Sequence, residues 1–167
     1  LTCLFLEWNL FSRWQADKQY NVGKSLDSQQ QFLTAYPSLV QAVETTPDEP
    51  TFRDELSYNQ AVLANLVYDQ LHNSPDSALV NLSESDRMNI KIPQLGVSEV
   101  QLEQEAIKNS DSVIATSPHS VPFWKTRVKT FLMLSQINIK YYDEVIRAIS
   151  TASRLAPTDA KVFYNLG

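Results

Sequence analysis

The chain has 167 residues, 43% of them hydrophobic and 20% charged, and a formal net charge of -5. That balance describes one globular domain or a short repeat array and excludes a disordered or fibrous chain. The 14 Lys and Arg residues are scattered among 19 acids without the basic stripe of a nucleic-acid surface, and 3 glycines are too few for a turn-dense β fold.

The chain opens on an apolar run, Leu1-Thr2-Cys3-Leu4-Phe5-Leu6-Glu7-Trp8-Asn9-Leu10-Phe11. It is shorter than the roughly 20 residues that cross a bilayer. It also lacks the basic start and small-residue cleavage site of a secretory signal. Two readings stand for residues 1–12. They are the end of a transmembrane helix with Trp8, Arg13 and Trp14 at the interface, or they are a buried packing helix. Glu7 favours the second, because a charge deep in a membrane is costly. Cys3 is the single cysteine, has no disulfide partner in the chain, and reads as a small apolar filler. The start at Leu1 and the helix-like run that reaches Gly167 predict a piece of a longer protein. Residues 13–167 are then its helical domain, truncated at the C-terminus.

Helix one is predicted over residues 3–26 and helix two over 29–45, followed by Pro47. Helix three spans 51–71, with Phe52, Leu56, Leu63, Leu66 and Val67 on its apolar side. Residues 72–97 read as a long loop broken by Pro75, Pro93 and Gly96, with a short turn near Ser83–Met88. Helix four starts at Ser98, whose spacing to Gln101 is that of a capping box, and ends near Thr116. Helices five and six cover 121–135 and 140–155, and a seventh begins near residue 159. Asp48, Ser120 and Thr158 or Asp159 are the expected N-caps, and Pro50 and Pro122 suit first turns.

A register recurs along this series. Ala35, Ala42 and Pro47 are spaced by seven and five; so are Ala106, Val113 and Pro118, and again Val145, Ala152 and Pro157. Small residues seven apart share one helical face and admit a close neighbour, and the proline stops the helix. Pro118 to Pro157 is 39 residues and Pro47 to Pro118 is 71, near one and two units of about 34. The excess in the third unit predicts an insertion around Ser135–Lys140. In the second unit Ser110 stands at a large-apolar position.

These residues resemble the tetratricopeptide pattern. Val22-Gly23, Ala35, Leu39, Ala42 and Pro47 match one unit, and Phe163, Leu166 and Gly167 match the opening of another. The resemblance implies an all-α, right-handed α-α superhelix of about six to seven antiparallel helices. A further order of motifs runs from the apolar start through Trp14-Gln15-Ala16-Asp17, Pro47-Asp48-Glu49-Pro50 and Asp54-Glu55-Leu56-Ser57. It continues through Phe123-Trp124-Lys125-Thr126-Arg127 to Leu155-Ala156-Pro157-Thr158-Asp159-Ala160. It resembles the soluble C-terminal repeat region of bacterial membrane proteins related to O-antigen ligases and polymerases. That resemblance implies a scaffold or protein-binding part of a surface-glycan assembly protein, with the parent's catalytic residues elsewhere. The alternative is a free-standing soluble adaptor in the cytoplasm. Arg13, Lys18 and Lys24 after the apolar run point to the cytoplasmic side of a membrane.

No constellation for catalysis, metal, cofactor, small-molecule substrate or nucleic acid is visible. His72 and His119 read as solvated loop histidines, and a metal needs three or four convergent ligands. Asp54-Glu55 and Asp143-Glu144 read as acids complementing helix starts. Phe123, Trp124, Phe131, Tyr141 and Tyr142 read as core. The candidate binding residues are Lys125 and Lys129, one turn apart on helix five, with Asn165 beyond them. In some tetratricopeptide domains such cations hold a peptide's terminal carboxylate, so the expected partner is a protein or peptide.

Overall fold

The computed structural model describes residues 2–72, 83, 86–87 and 90–159, with residues 2–9 described as backbone alone. Within them lie α1 (Thr2–Ser28), α2 (Phe32–Thr45), α3 (Pro50–His72), α4 (Glu99–Thr116), α5 (Val121–Ile137) and α6 (Tyr142–Leu155). A single 3-10 turn, Ile139–Tyr141, leads into α6. Among the described residues the one β pairing is an isolated antiparallel bridge between Lys91 and Ser98. The chain is therefore all-α, as the helical periodicity and the repeat resemblance imply. Helix α1 runs unbroken through residue 12, so the apolar start and the first domain helix are one element. The seventh helix expected near residue 159 lies outside the described residues, as do Asn165 and the rest of the closing motif.

Helices pair in sequence order: α1 with α2, α3 with α4, and α5 with α6. The short links within the first and third pairs force antiparallel neighbours. Helix α3 also packs on α2 and α5 and touches α1, so it is the central strut. Its middle is buried all round, from Leu56 and Ser57 through Asn59 to Ala64.

The seven-residue register marks the buried faces. Ala35, Leu39 and Ala42 of α2, Ala106, Ser110 and Val113 of α4, and Val145, Ile149 and Ala152 of α6 are all buried. Gly23 shows why the first pair sits so close: a Cβ there would lie 2.6 Å from Leu39 Cδ2. The prolines act alike as well. Thr46, Ser117 and Ala156 each precede one, and each closes its helix with φ/ψ of -135/77, -136/65 and -135/71. Proline bars the preceding residue from helical geometry. In each case the cap N–H still donates to the last small residue of the register, Ala42, Val113 or Ala152.

Other boundaries differ from expectation in instructive ways. Ser98 and Gln101 form the full capping box. At α3 the expected cap Asp48 is displaced by Glu49, whose Oε1 accepts from Thr51 N at 3.1 Å. Ser120 precedes α5, but its hydroxyl makes no capping bond. The extra residues near Ser135–Lys140 are absorbed by extending α5 to Ile137 and adding the 3-10 turn, where Asn138 caps Lys140 N. Leu66 is exposed rather than on the apolar side of α3, and Tyr142 is also exposed at the start of α6. His72 is the last residue of α3, not a loop residue, and stacks on Tyr68 at 3.8 Å. The described end of the long loop folds back tightly: Ile92 N donates to Val97 O at 2.7 Å, and Gly96 takes φ +71. Asp86 and Arg87 are helical, and Arg87 reaches Glu99 at 3.3 Å.

Candidate functional site

Three helices, α1, α3 and α5, bring a row of charged and aromatic side chains together. On α1, Tyr20 stacks against Phe52 of α3, with ring centroids 4.8 Å apart. One turn on, Lys24 Nζ donates to the Tyr20 hydroxyl at 3.0 Å. Helix α3 contributes Asp54, Glu55 and Tyr58, spaced so that Asp54 and Tyr58 lie one turn apart. Helix α5 contributes Thr126, whose hydroxyl favours the ionised form of Asp54, and Lys129, whose Nζ sits 6.0 Å from the centre of the Tyr58 ring.

The electrostatics follow from partial burial between these helices. Burial pushes the Asp54 carboxyl up to about 7, against the opposing pull of the Thr126 hydroxyl and the lysines. Burial raises Glu55 as well, and Lys24 and Lys129 pull it back down from either side. Lys24 is itself raised, first by its bond to Tyr20. Tyr58 is raised by burial and by the charges of Asp27 and Glu55. The row thus runs cation, acid pair, cation across three helices, with tyrosine rings between them.

The sequence-predicted residues fall around this row. Lys129 belongs to it. Lys125, one turn earlier on α5, instead forms an ion pair with Asp159 at the far side. Asn165 lies outside the described residues. The pair Asp54-Glu55 does not sit at a helix start: α3 begins at Pro50, which puts both acids past its first turn. Asp143 and Glu144 do occupy the first turn of α6, and Glu144 also accepts a hydrogen bond from Arg127.

Arg127 is the residue that sequence reasoning missed. It is buried beside Phe131, with Nη1 donating to Ser110 Oγ at 2.9 Å and Nε to Glu144 at 2.7 Å. Its Nη2 lies 2.8 Å from Asp111 Oδ1. The serine at the large-apolar position of α4 is thereby explained, because the guanidinium occupies the space an aliphatic side chain would fill. A run of polar contacts joins α3 to α4 in the same manner: Arg53 to Asn109, Asn109 to Gln60, and Gln60 to Glu105.

The first half of α1 leaves Leu10, Phe11 and Trp14 exposed at 69%, 52% and 57%. Phe11 packs on Trp14, and Lys18 lies over the Trp14 ring at 5.9 Å. Among the described residues no helix is long and apolar enough to cross a membrane. No family model matches the chain, and no curated protein or solved structure matches it.

Proposed function

We propose that the chain is a protein-binding scaffold of the tetratricopeptide type that holds an extended or helical partner segment across the α1–α3–α5 face. One observation carries the reading: the alternating row Lys24, Asp54-Glu55, Lys129 spans three helices and is interleaved with Tyr20 and Tyr58. Alternating charge fixes the register of a bound segment, and tyrosine supplies contact area at little entropic cost. Three successive helix pairs with one small-residue register support a superhelical stack, whose curved surface suits such a partner. In this reading Lys129 engages the partner directly, and Asn165 with Lys125 extends the site toward the next unit. The role is non-catalytic.

The wider setting we propose is the soluble repeat region of a bacterial membrane protein of surface-glycan assembly. Its support is the sequence resemblance, together with the exposed Leu10, Phe11 and Trp14 beside Arg13 and Lys18. In that setting residues 1–12 continue a membrane helix and the repeat face lies on the cytoplasmic side. A free-standing soluble adaptor is the competing outcome.

Photo-crosslinking from position 58 of the native protein tests the face, with exposed position 116 on α4 as the control. We expect adducts to one protein from position 58 alone, lost when Lys24 and Lys129 are both changed to Glu. Equal labelling from both positions, or labelling indifferent to the charge reversal, would sink the reading. Fractionation with an alkaline wash separates the settings: retention in the membrane pellet supports glycan assembly, and full release leaves the soluble adaptor.

A further inference from the structure

At the end of α1, Asp27 is only 7% exposed, and Asn59 of α3 is completely buried. Asn59 Nδ2 donates to Asp27 Oδ1 at 2.7 Å and to the Phe32 carbonyl, at the start of α2, at 3.0 Å. The remaining oxygen of each side chain, Asp27 Oδ2 and Asn59 Oδ1, is buried and meets no donor among the described residues. An ionised carboxylate and an amide oxygen are both acceptors only. Two orphaned acceptors on side chains already bonded to each other is a costly arrangement, unless one of them carries a hydrogen.

We propose that Asp27 keeps its proton in the folded chain up to the neutral range and that its Oδ2–H donates to Asn59 Oδ1, closing a cyclic acid–amide pair. The proton comes from solvent, and no other bond changes. Both orphans are then satisfied at once. The pair joins three elements, since Asn59 simultaneously holds the first carbonyl of α2. It is a proton-dependent latch on the α1–α2 turn, independent of which partner binds the nearby face.

The surroundings favour the neutral acid. Glu55 of α3 is the charged neighbour acting on Asp27, and it is another acid. Tyr58, also of α3, feels the Asp27 charge as an unfavourable one for its own ionisation. From α2 the approaching group is the Phe32 carbonyl, an acceptor. Burial, the largest influence, pushes Asp27 from 3.8 up to about 7. The folded state therefore holds this proton more tightly than the unfolded chain. Its contribution to stability is complete below pH 3.8, falls as pH rises toward about 7, and is gone above that.

Asp27→Asn tests the latch, because an amide pair with Asn59 keeps the same cyclic shape and does not titrate. Urea unfolding of the 167-residue chain is compared at about pH 5 and about pH 8. The wild-type folding constant should fall between them by roughly one to two orders of magnitude more than that of Asp27→Asn. The variant should be the more stable protein at the higher pH. Asp54 titrates in both proteins and cancels. In deuterium oxide below neutral pH, the protonated-carboxyl stretch should be stronger in the wild type than in the variant by one carboxyl, since Asp54 contributes to both. A variant weakened equally at both pH values, with no excess of that band in the wild type over the variant, overturns the proposal. If Asp27→Asn does not fold, carboxyl-carbon NMR of the wild type through the same pH range decides, since an Asp27 signal ionised throughout would also overturn it.

Discussion

At Leu39 the α2 helix presses a complete aliphatic side chain against Gly23 of α1. At Ser110, the same place in the register, α4 stops at a hydroxyl and the guanidinium of Arg127 reaches in from α5. The first joint is closed by shape, with a glycine opposite a leucine and a nearby polar pair, Asp27 with Asn59. The second is closed by charge, with Arg127 divided among Ser110, Asp111 and Glu144. One backbone geometry therefore accepts two chemistries at its tightest point. They should fail differently: the first is sensitive to a single added methyl group, the second to loss of a single cation.

The largest expected effect is at the charged joint. Arg127→Ala should cost about 3 kcal/mol, because it leaves the nearly buried carboxylate of Glu144 with only the exposed Arg147 as a partner and the buried Ser110 hydroxyl without the guanidinium. Replacing Arg127 by Leu and Glu144 by Gln together should recover much of that loss in urea unfolding. A cost for Arg127→Ala below about 1 kcal/mol would mean the joint is held by packing after all. At the shape-closed joint, Gly23→Ala should cost about 1–3 kcal/mol, since the new methyl collides with Leu39. In a double-mutant cycle with Leu39→Ala the two losses should fall short of additivity by at least about 1 kcal/mol. Strict additivity would remove Leu39 as the cause. The smallest effect lies in the turn beside that joint. Gln30 sits at φ +61, a conformation suited to glycine. Gln30→Gly should raise stability by about 1 kcal/mol in thermal unfolding, and a loss would show that the Gln30 side chain contributes something the turn needs.

The apolar joint was legible in the sequence and the charged one was not. Ala35, Leu39, Ala42 and Gly23 declare a close helix pair because small and aliphatic residues at helical spacing have few other uses. The prolines and the Ser98–Gln101 box are local signals, read within four residues of where they act. Arg127 carries no such signal. Its three partners lie on two other helices, and a lone arginine in an amphipathic run reads as surface. Asp27 and Asn59 are 32 residues apart and ordinary in type. Asp54 and Glu55 suggested a helix start because acids collect there, and only the position of Pro50 shows them to be past it. Interactions within a turn are encoded by spacing. Those between helices depend on rotations that spacing does not record.

Helix α3 supplies Phe52, Leu56, Leu63 and Ala64 to the core shared with α1 and α2, and Ala61 to the core shared with α4, α5 and α6. In a simple stack each unit leans only on the next, and the ends can fray one at a time. Here both halves share a single beam, so neither can melt without loosening the other. The chain should behave as one cooperative unit, with a strain applied at either end passing through the same 23 residues.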